Sequence, residues 1–159
     1  MMPKDSLRKK LGFTMVELLT TLMVISVVVR LGIPNYHEVR LKAEAVQVAG
    51  DFNVVRHAAF EYMTDHNGWP QDFGAGQVPP ELTSYLPPGF SFQRNRYQLD
   101  WENWAIPSGL PSHPELRAIL GLSIVTEDRA LGAALEGLLG SGRANFSLGP
   151  SYTFIVETR

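Results

Sequence analysis

Apolar residues are arranged in two different ways over the first 66 positions. From Leu11 to Ile33 they run almost continuously, and the charged interruptions are Glu17 and Arg30. Beyond Pro34 they thin out to a stripe: Leu41, Ala45, Val48, Phe52, Val55, Ala59 and Tyr62 recur at alternating spacings of four and three. That is the period of one helix face. Glu38, Lys42, Asp51, Arg56 and Asp65 fall off the stripe, so residues 35–66 are predicted to form an amphipathic helix laid on a small domain. Pro34 removes a backbone N–H and crowds the preceding turn, so a kink or local break is expected there, loosened further by Gly32.

"NGWP" at Asn67 to Pro70 stops the second helix. The chain to Leu110 is then rich in glycine, proline and aromatics, with "ELTSYL" (Glu81 to Leu86) predicted as one helical turn. Tyr97, Leu99 and Trp101 alternate with polar neighbours, which is strand periodicity. "NWAIP" either continues that strand or opens a hairpin partner. Leu116 to Thr126 is almost wholly apolar and reads as a central strand. Thr126 is then expected to cap a helix with Glu127 and Asp128 in its first turn. Leu131, Ala134, Leu135 and Leu138 supply its apolar face, Gly140 ends it, and Tyr152 to Thr158 closes the chain as a last strand. The tally predicts an α+β fold: a roll in which a long N-terminal helix packs on three or four antiparallel strands, with one extra helix.

Composition narrows the class. The 159 residues are 45% apolar and 19% charged, an ordinary globular balance. The net charge is −2 but unevenly spread: Lys4, Arg8, Lys9 and Lys10 crowd the first ten positions beside a single acid, Asp5. The rest carries 10 basic and 15 acidic groups, a net of −5 that argues against nucleic acid as a partner. There is no cysteine, hence no disulfide framework and no thiolate chemistry. A basic cluster before an apolar run reads as an export signal or membrane anchor. The uncharged core, Leu18 to Val29, is short of the about 20 residues a span needs, but Leu11 to Ile33 suffices if Glu17 and Arg30 lie toward opposite interfaces. Residues 24–36 offer no convincing small-x-small cleavage site, which favours an anchor over a removed secretory signal. The basic end then stays cytoplasmic and everything after Pro34 lies outside. Within that scheme Glu17 is the anomaly, since a carboxylate in the bilayer core costs about 2.5–3.5 kcal/mol on insertion scales.

The stretch "KKLGFTMVELL" resembles the processing signal of type IV pilins and type II secretion pseudopilins. In that family a short basic leader ends in glycine, matching Gly12, and a prepilin peptidase cuts after it and methylates the new N-terminus, matching Phe13. The fifth mature residue is glutamate, matching Glu17, and a proline often stands at the twenty-second, matching Pro34. The absence of cysteine is similar to pseudopilins and cysteine-free pilins rather than to disulfide-bearing ones. The resemblance implies a leader over 1–12, a spine helix over 13–66 (13–33 membrane and filament core, 35–66 amphipathic) and a globular head over 67–159. It further implies an inner-membrane single-pass precursor, partners that include the peptidase, the filament assembly machinery and other copies or related subunits, and a role for Glu17 in setting axial register against a neighbour's N-terminus. The plainer alternative for Glu17 is a carboxylate resting near the headgroups.

Enzyme motifs are missing: there is no nucleophile elbow, Walker loop, GxGxxG or zinc spacing. His57, Glu61, Asp65, His66 and Asp72 read as a solvated face rather than a metal site, so no cofactor is expected. The resemblance leaves calcium in the head open, with Asp100 and Glu102, or Glu127 and Asp128, as oxygen donors, although neither pair has the spacing of a dedicated loop. Arg94 and Arg96 beside the aromatics invite a nucleic-acid role but stand in an acidic body. Most of Trp69, Phe73, Phe90, Phe92, Tyr97, Trp101 and Trp104 are expected in the core. The reading is a structural, filament-forming subunit, the alternative being a membrane-anchored periplasmic binding module that does not polymerise.

Overall fold

The computed structural model describes residues 12–158; of the leader expected over 1–12, only Gly12 lies among them. The elements in order are α1 (Met15–His66), a 3-10 turn (Pro80–Leu82), β1 (Gln98–Ala105), β2 (Ala118–Val125), α2 (Arg129–Leu139), β3 (Asn145–Leu148) and β4 (Ser151–Thr158). The chain divides into two compact units, with the boundary between Val39 and Arg40 falling inside α1. Residues 40–66 thus belong to the same unit as the sheet.

In the first unit, Thr14 starts α1: its hydroxyl accepts from the Glu17 amide at 3.2 Å. The backbone is helical through Pro34, so the break that was one of the two outcomes expected there does not occur. Proline withholds one N–H, but its fixed φ already suits a helix.

In the second unit, the stripe predicted on α1 is where the core forms. Ala45, Val48, Phe52, Val55 and Ala59 are buried, and Leu41 and Tyr62 pack at its margins. Asn67 ends the helix in the left-handed region, φ 51°, its N–H bonded to the Met63 carbonyl at 2.8 Å. Asparagine tolerates that conformation because its short polar side chain carries little of the usual penalty.

The four strands form one antiparallel sheet in the order β1-β2-β4-β3. "NWAIP" continues β1 rather than starting a partner, and Trp101 stands opposite Leu122, Leu99 opposite Ile124. β3 was not predicted: its Asn-Phe-Ser-Leu does alternate, but over only four residues, all of them exposed. One sheet face is apolar: Leu99, Trp101, Leu120, Leu122, Ile124 and Phe154 are fully buried with the α1 stripe, and Phe154 meets Phe52 edge-on at 5.9 Å. Burying each such side chain contributes about 1.5–3 kcal/mol.

α2 ends at Gly140 as expected but departs from expectation in its N-cap and its buried face. Its cap is Asp128, whose Oδ1 accepts from the Ala130 and Leu131 amides at 2.9 and 3.2 Å. Thr126 instead accepts from the Asp128 amide and donates to the Arg96 carbonyl at 2.8 Å. The buried face is Leu131, Gly132, Leu135 and Leu139, while Leu138 points to solvent. A stripe one residue over is chosen because Tyr152 on β4 occupies the space beside Gly132.

Candidate functional site

Two regions hold the residues singled out by chemistry, one in each unit. The first is the start of α1. Every residue from Gly12 to Gly32 is exposed, among them Phe13 at 76% and Leu31 at 69%. This stretch is long and apolar enough to cross a membrane, and none of it is buried within the chain. Glu17 sits in the first turn of α1, where the partial positive charge of unpaired amides favours a carboxylate. Thr14-Met15-Val16-Glu17 has the S/T-x-x-E spacing of a capping box, and the Thr14 half of that box is formed. This local role for Glu17 was legible in the sequence as that four-residue spacing.

The second region is in the head. Arg94 and Arg96 flank the tip of a narrow loop and bind it down in different directions. The Arg94 guanidinium donates to Asp51 on α1 through Nε and Nη2, both at 3.0 Å, and the Tyr97 hydroxyl donates to the same carboxylate at 2.6 Å. Burial, then that carboxylate, holds the Tyr97 phenol well above its ordinary range. Arg96 bridges Glu44 on α1 and Asp128 at the head of α2. Hydrogen bonds from the Leu131 and Ala130 amides and the Arg96 charge together hold the Asp128 carboxyl below its usual range. Both arginines are thus engaged within the chain.

On the sheet face turned away from α1, Asp100 and Glu102 of β1 stand two residues apart. Burial pushes Asp100 up to about 7, helped by Glu102 and Asp72. Its Oδ1 is buried without a hydrogen-bond partner. Burial also raises Glu102, with Asp72 adding to the effect and the Ser123 hydroxyl, donating to Oε1 at 2.9 Å, opposing it. Ser123 in turn meets the Thr153 hydroxyl at 2.7 Å.

The remaining candidates do not converge. Glu127 is exposed while Asp128 caps α2. His57 pairs with Glu61 at 3.3 Å in solvent, His66 stacks on Tyr62, Asp65 accepts from Tyr85 at 2.9 Å, and Asp72 belongs with Glu102 instead. Among the described residues, no group of three or more histidines and acids is placed to hold a metal ion. Of the aromatics, Phe92, Tyr97 and Trp101 are buried, Trp69 and Phe90 pack against the core, and Phe73 is exposed. Trp104 lies on the outer face, 6.0 Å from Phe146.

No family model, curated protein or solved structure matches this chain.

Proposed function

We propose that this chain is a membrane-inserted subunit of a helix-cored filament of the kind built from type IV pilins and pseudopilins, made as a precursor and cut between Gly12 and Phe13. The observation that carries the reading is the apolar start of α1, exposed at every residue from Met15 to Gly32. Uncovered apolar surface of that extent calls for an occupant. A bilayer supplies one before assembly, and equivalent helices of neighbouring subunits supply another after it. The head then stands on the far side of the inner membrane, in the periplasm or on a surface filament. Glu17 gives such packing its register, because a buried carboxylate is tolerable where a neighbour's terminal ammonium meets it and costly elsewhere.

A second reading, an anchored head that never polymerises, is favoured by the place of Glu17 in the first turn of α1: the partial positive charge of a helix start suits an acid there without any neighbour. Glu17→Gln separates the two, since glutamine keeps the size of the side chain and gives up at most about 1 kcal/mol at the helix start, while it has no charge to pair with a neighbour's terminus. For a filament subunit, the variant stays in the membrane fraction and disappears from sheared filaments. For a plain anchor, it behaves as wild type. Mass spectrometry of the N-terminal peptide accompanies the test. A methylated Phe13 terminus supports the filament reading, and an intact leader in mature material refutes it.

A further inference from the structure

The two edges of the sheet are finished differently. Along β1 the chain covers its own edge. The Leu99 amide donates to the Phe92 carbonyl at 2.9 Å and the Gly76 amide to the Leu99 carbonyl at 2.8 Å. Beside them, the Pro70 carbonyl accepts from the side chains of Trp101 and Asn103 at 3.1 and 2.8 Å. At the other edge β3 is the last strand, and among the described residues no element pairs with its outer side. A bare edge is a template for another strand, which proteins usually blunt with charge, proline or a covering loop. Residues 144–149 carry neither a charge nor a proline.

The direction of each β3 backbone group follows from the ladder. The Ile155 amide donates to the Ala144 carbonyl at 2.9 Å, and hydrogen-bonded positions alternate along an antiparallel pair. Ala144, Phe146 and Leu148 therefore turn their backbone groups toward β4, while Asn145 and Ser147 turn theirs outward. Those outward groups are symmetric about Phe146. A second copy, laid antiparallel with the two Phe146 residues opposite each other, sets each Asn145 against the other copy's Ser147 and forms four backbone hydrogen bonds. The side chains agree with this register. Phe146, 49% exposed, meets its own counterpart as a cross-strand aromatic pair, and Leu148, 78% exposed, lies opposite the small Ala144. The charge next to the strand, Arg143, is turned onto the Phe52 ring at 5.3 Å. In this register it lies about 20 Å along the strands from its counterpart, so like charges do not meet.

We propose that β3 is a contact between two heads: two copies pair antiparallel through Asn145–Leu148 and join their sheets across a two-fold axis at Phe146. A strip of four residues falls well short of the about 1,000 Å² that marks a stable interface, so the pair depends on copies being held close together. The inference rests on the part of the functional reading that both of its versions share, insertion of the start of α1 in a membrane, which supplies that confinement. It needs no filament.

The test is disulfide cross-linking of the full chain, which has no cysteine of its own, so a single introduced thiol reports one position. Residues opposed at a non-hydrogen-bonded pair lie about 4.5 Å apart between Cα atoms, inside the about 7 Å limit for a disulfide. Phe146→Cys is therefore expected to give a covalent dimer when membranes are mildly oxidised. Leu148→Cys is expected to give several-fold less, because in this register the two copies of that position are about 14 Å apart. Random collision has the opposite preference, since Leu148 is the more exposed. Differently tagged chains carrying Asn145→Cys and Ser147→Cys, co-expressed, should cross-link to each other, and they keep Phe146 in place. Cross-linking is scored in whichever fraction holds the chain, and sedimentation with membranes reports insertion of α1 separately. A dimer at 146, or between 145 and 147, with little at 148 supports the pairing. No dimer at either, or one at 148 as abundant as at 146, overturns it.

Discussion

Adding one methyl group at either of two glycines in α2 should move stability in opposite directions. Gly132 and Gly137 lie five residues apart on that helix. A Cβ at Gly137 would meet nothing within 4 Å, whereas at Gly132 it would fall 2.0 Å from Cζ, 2.2 Å from Oη and 2.4 Å from Cε2 of Tyr152. In a helix interior, alanine is favoured over glycine by about 1 kcal/mol, which Gly137→Ala should gain nearly in full. Gly132→Ala has the same gain but must drive the Tyr152 ring out of its seat, and overpacking of this kind costs about 1–3 kcal/mol. Tyr152 is only half-buried, so the ring has some room to swing outward, and the net loss should be about 1 kcal/mol. The two variants then differ by about 2 kcal/mol, or roughly 4–8 °C in midpoint for a chain of this size. All three tryptophans, Trp69, Trp101 and Trp104, lie in the head, so thermal unfolding of the micelle-bound chain followed by tryptophan fluorescence reads the head without interference from the apolar segment. Tyr152→Ala in the Gly132→Ala background should restore part of the loss relative to Tyr152→Ala alone, because the two side chains contend for the same space. If Gly132→Ala melts at or above the wild-type midpoint, the close packing of α2 on β4 described here is wrong.

Asp128→Ala should destabilise the head by about 1 kcal/mol through the lost cap, and by more than Thr126→Ala if the cap is Asp128; urea unfolding of both variants checks the order. A pH titration of stability tests Asp100. Its proton is held up to about 7 in the folded head and leaves an unfolded chain at about 3.9. The folded state thus binds the proton more tightly, and this contribution should raise the melting midpoint as pH falls from about 7 toward about 4 and be absent above 7. Asp100→Asn should remove that slope and stabilise the head at pH 8 by about 1–2 kcal/mol, the full shift being discounted for a site partly open to solvent. Equal slopes for wild type and variant would falsify that account of Asp100.

Much of this architecture is legible in local chemistry. The four-three stripe from Leu41 to Tyr62 marks the buried face of α1, because a helix repeats its faces every 3.6 residues wherever it is placed. Asn67-Gly68 marks its end, since few residue types adopt a left-handed backbone. The alternation around Leu99 and Trp101 marks β1, and the threonine three residues before Glu17 marks a helix start. Each of these signals needs only the neighbours within one or two turns. The exposed apolar run of residues 13–31 is equally local, and the expectation of membrane insertion rests on it.

Other features depend on groups far apart in sequence. β3 alternates over only four residues, all exposed, and is made a strand by pairing with β4. The register of the α2 face, Leu139 in and Leu138 out, follows from Tyr152 seated beside Gly132. Two apparently free arginines are consumed by Asp51, Glu44 and Asp128, at separations of 43, 52 and 32 residues. The two acids of β1, ordinary in a sequence, hold their protons more tightly only because the fold removes water around them. Periodicity and turn chemistry are properties of the backbone and are written locally. Burial, charge pairing and proton affinity depend on which distant groups displace solvent, and that was decided by the tertiary structure alone.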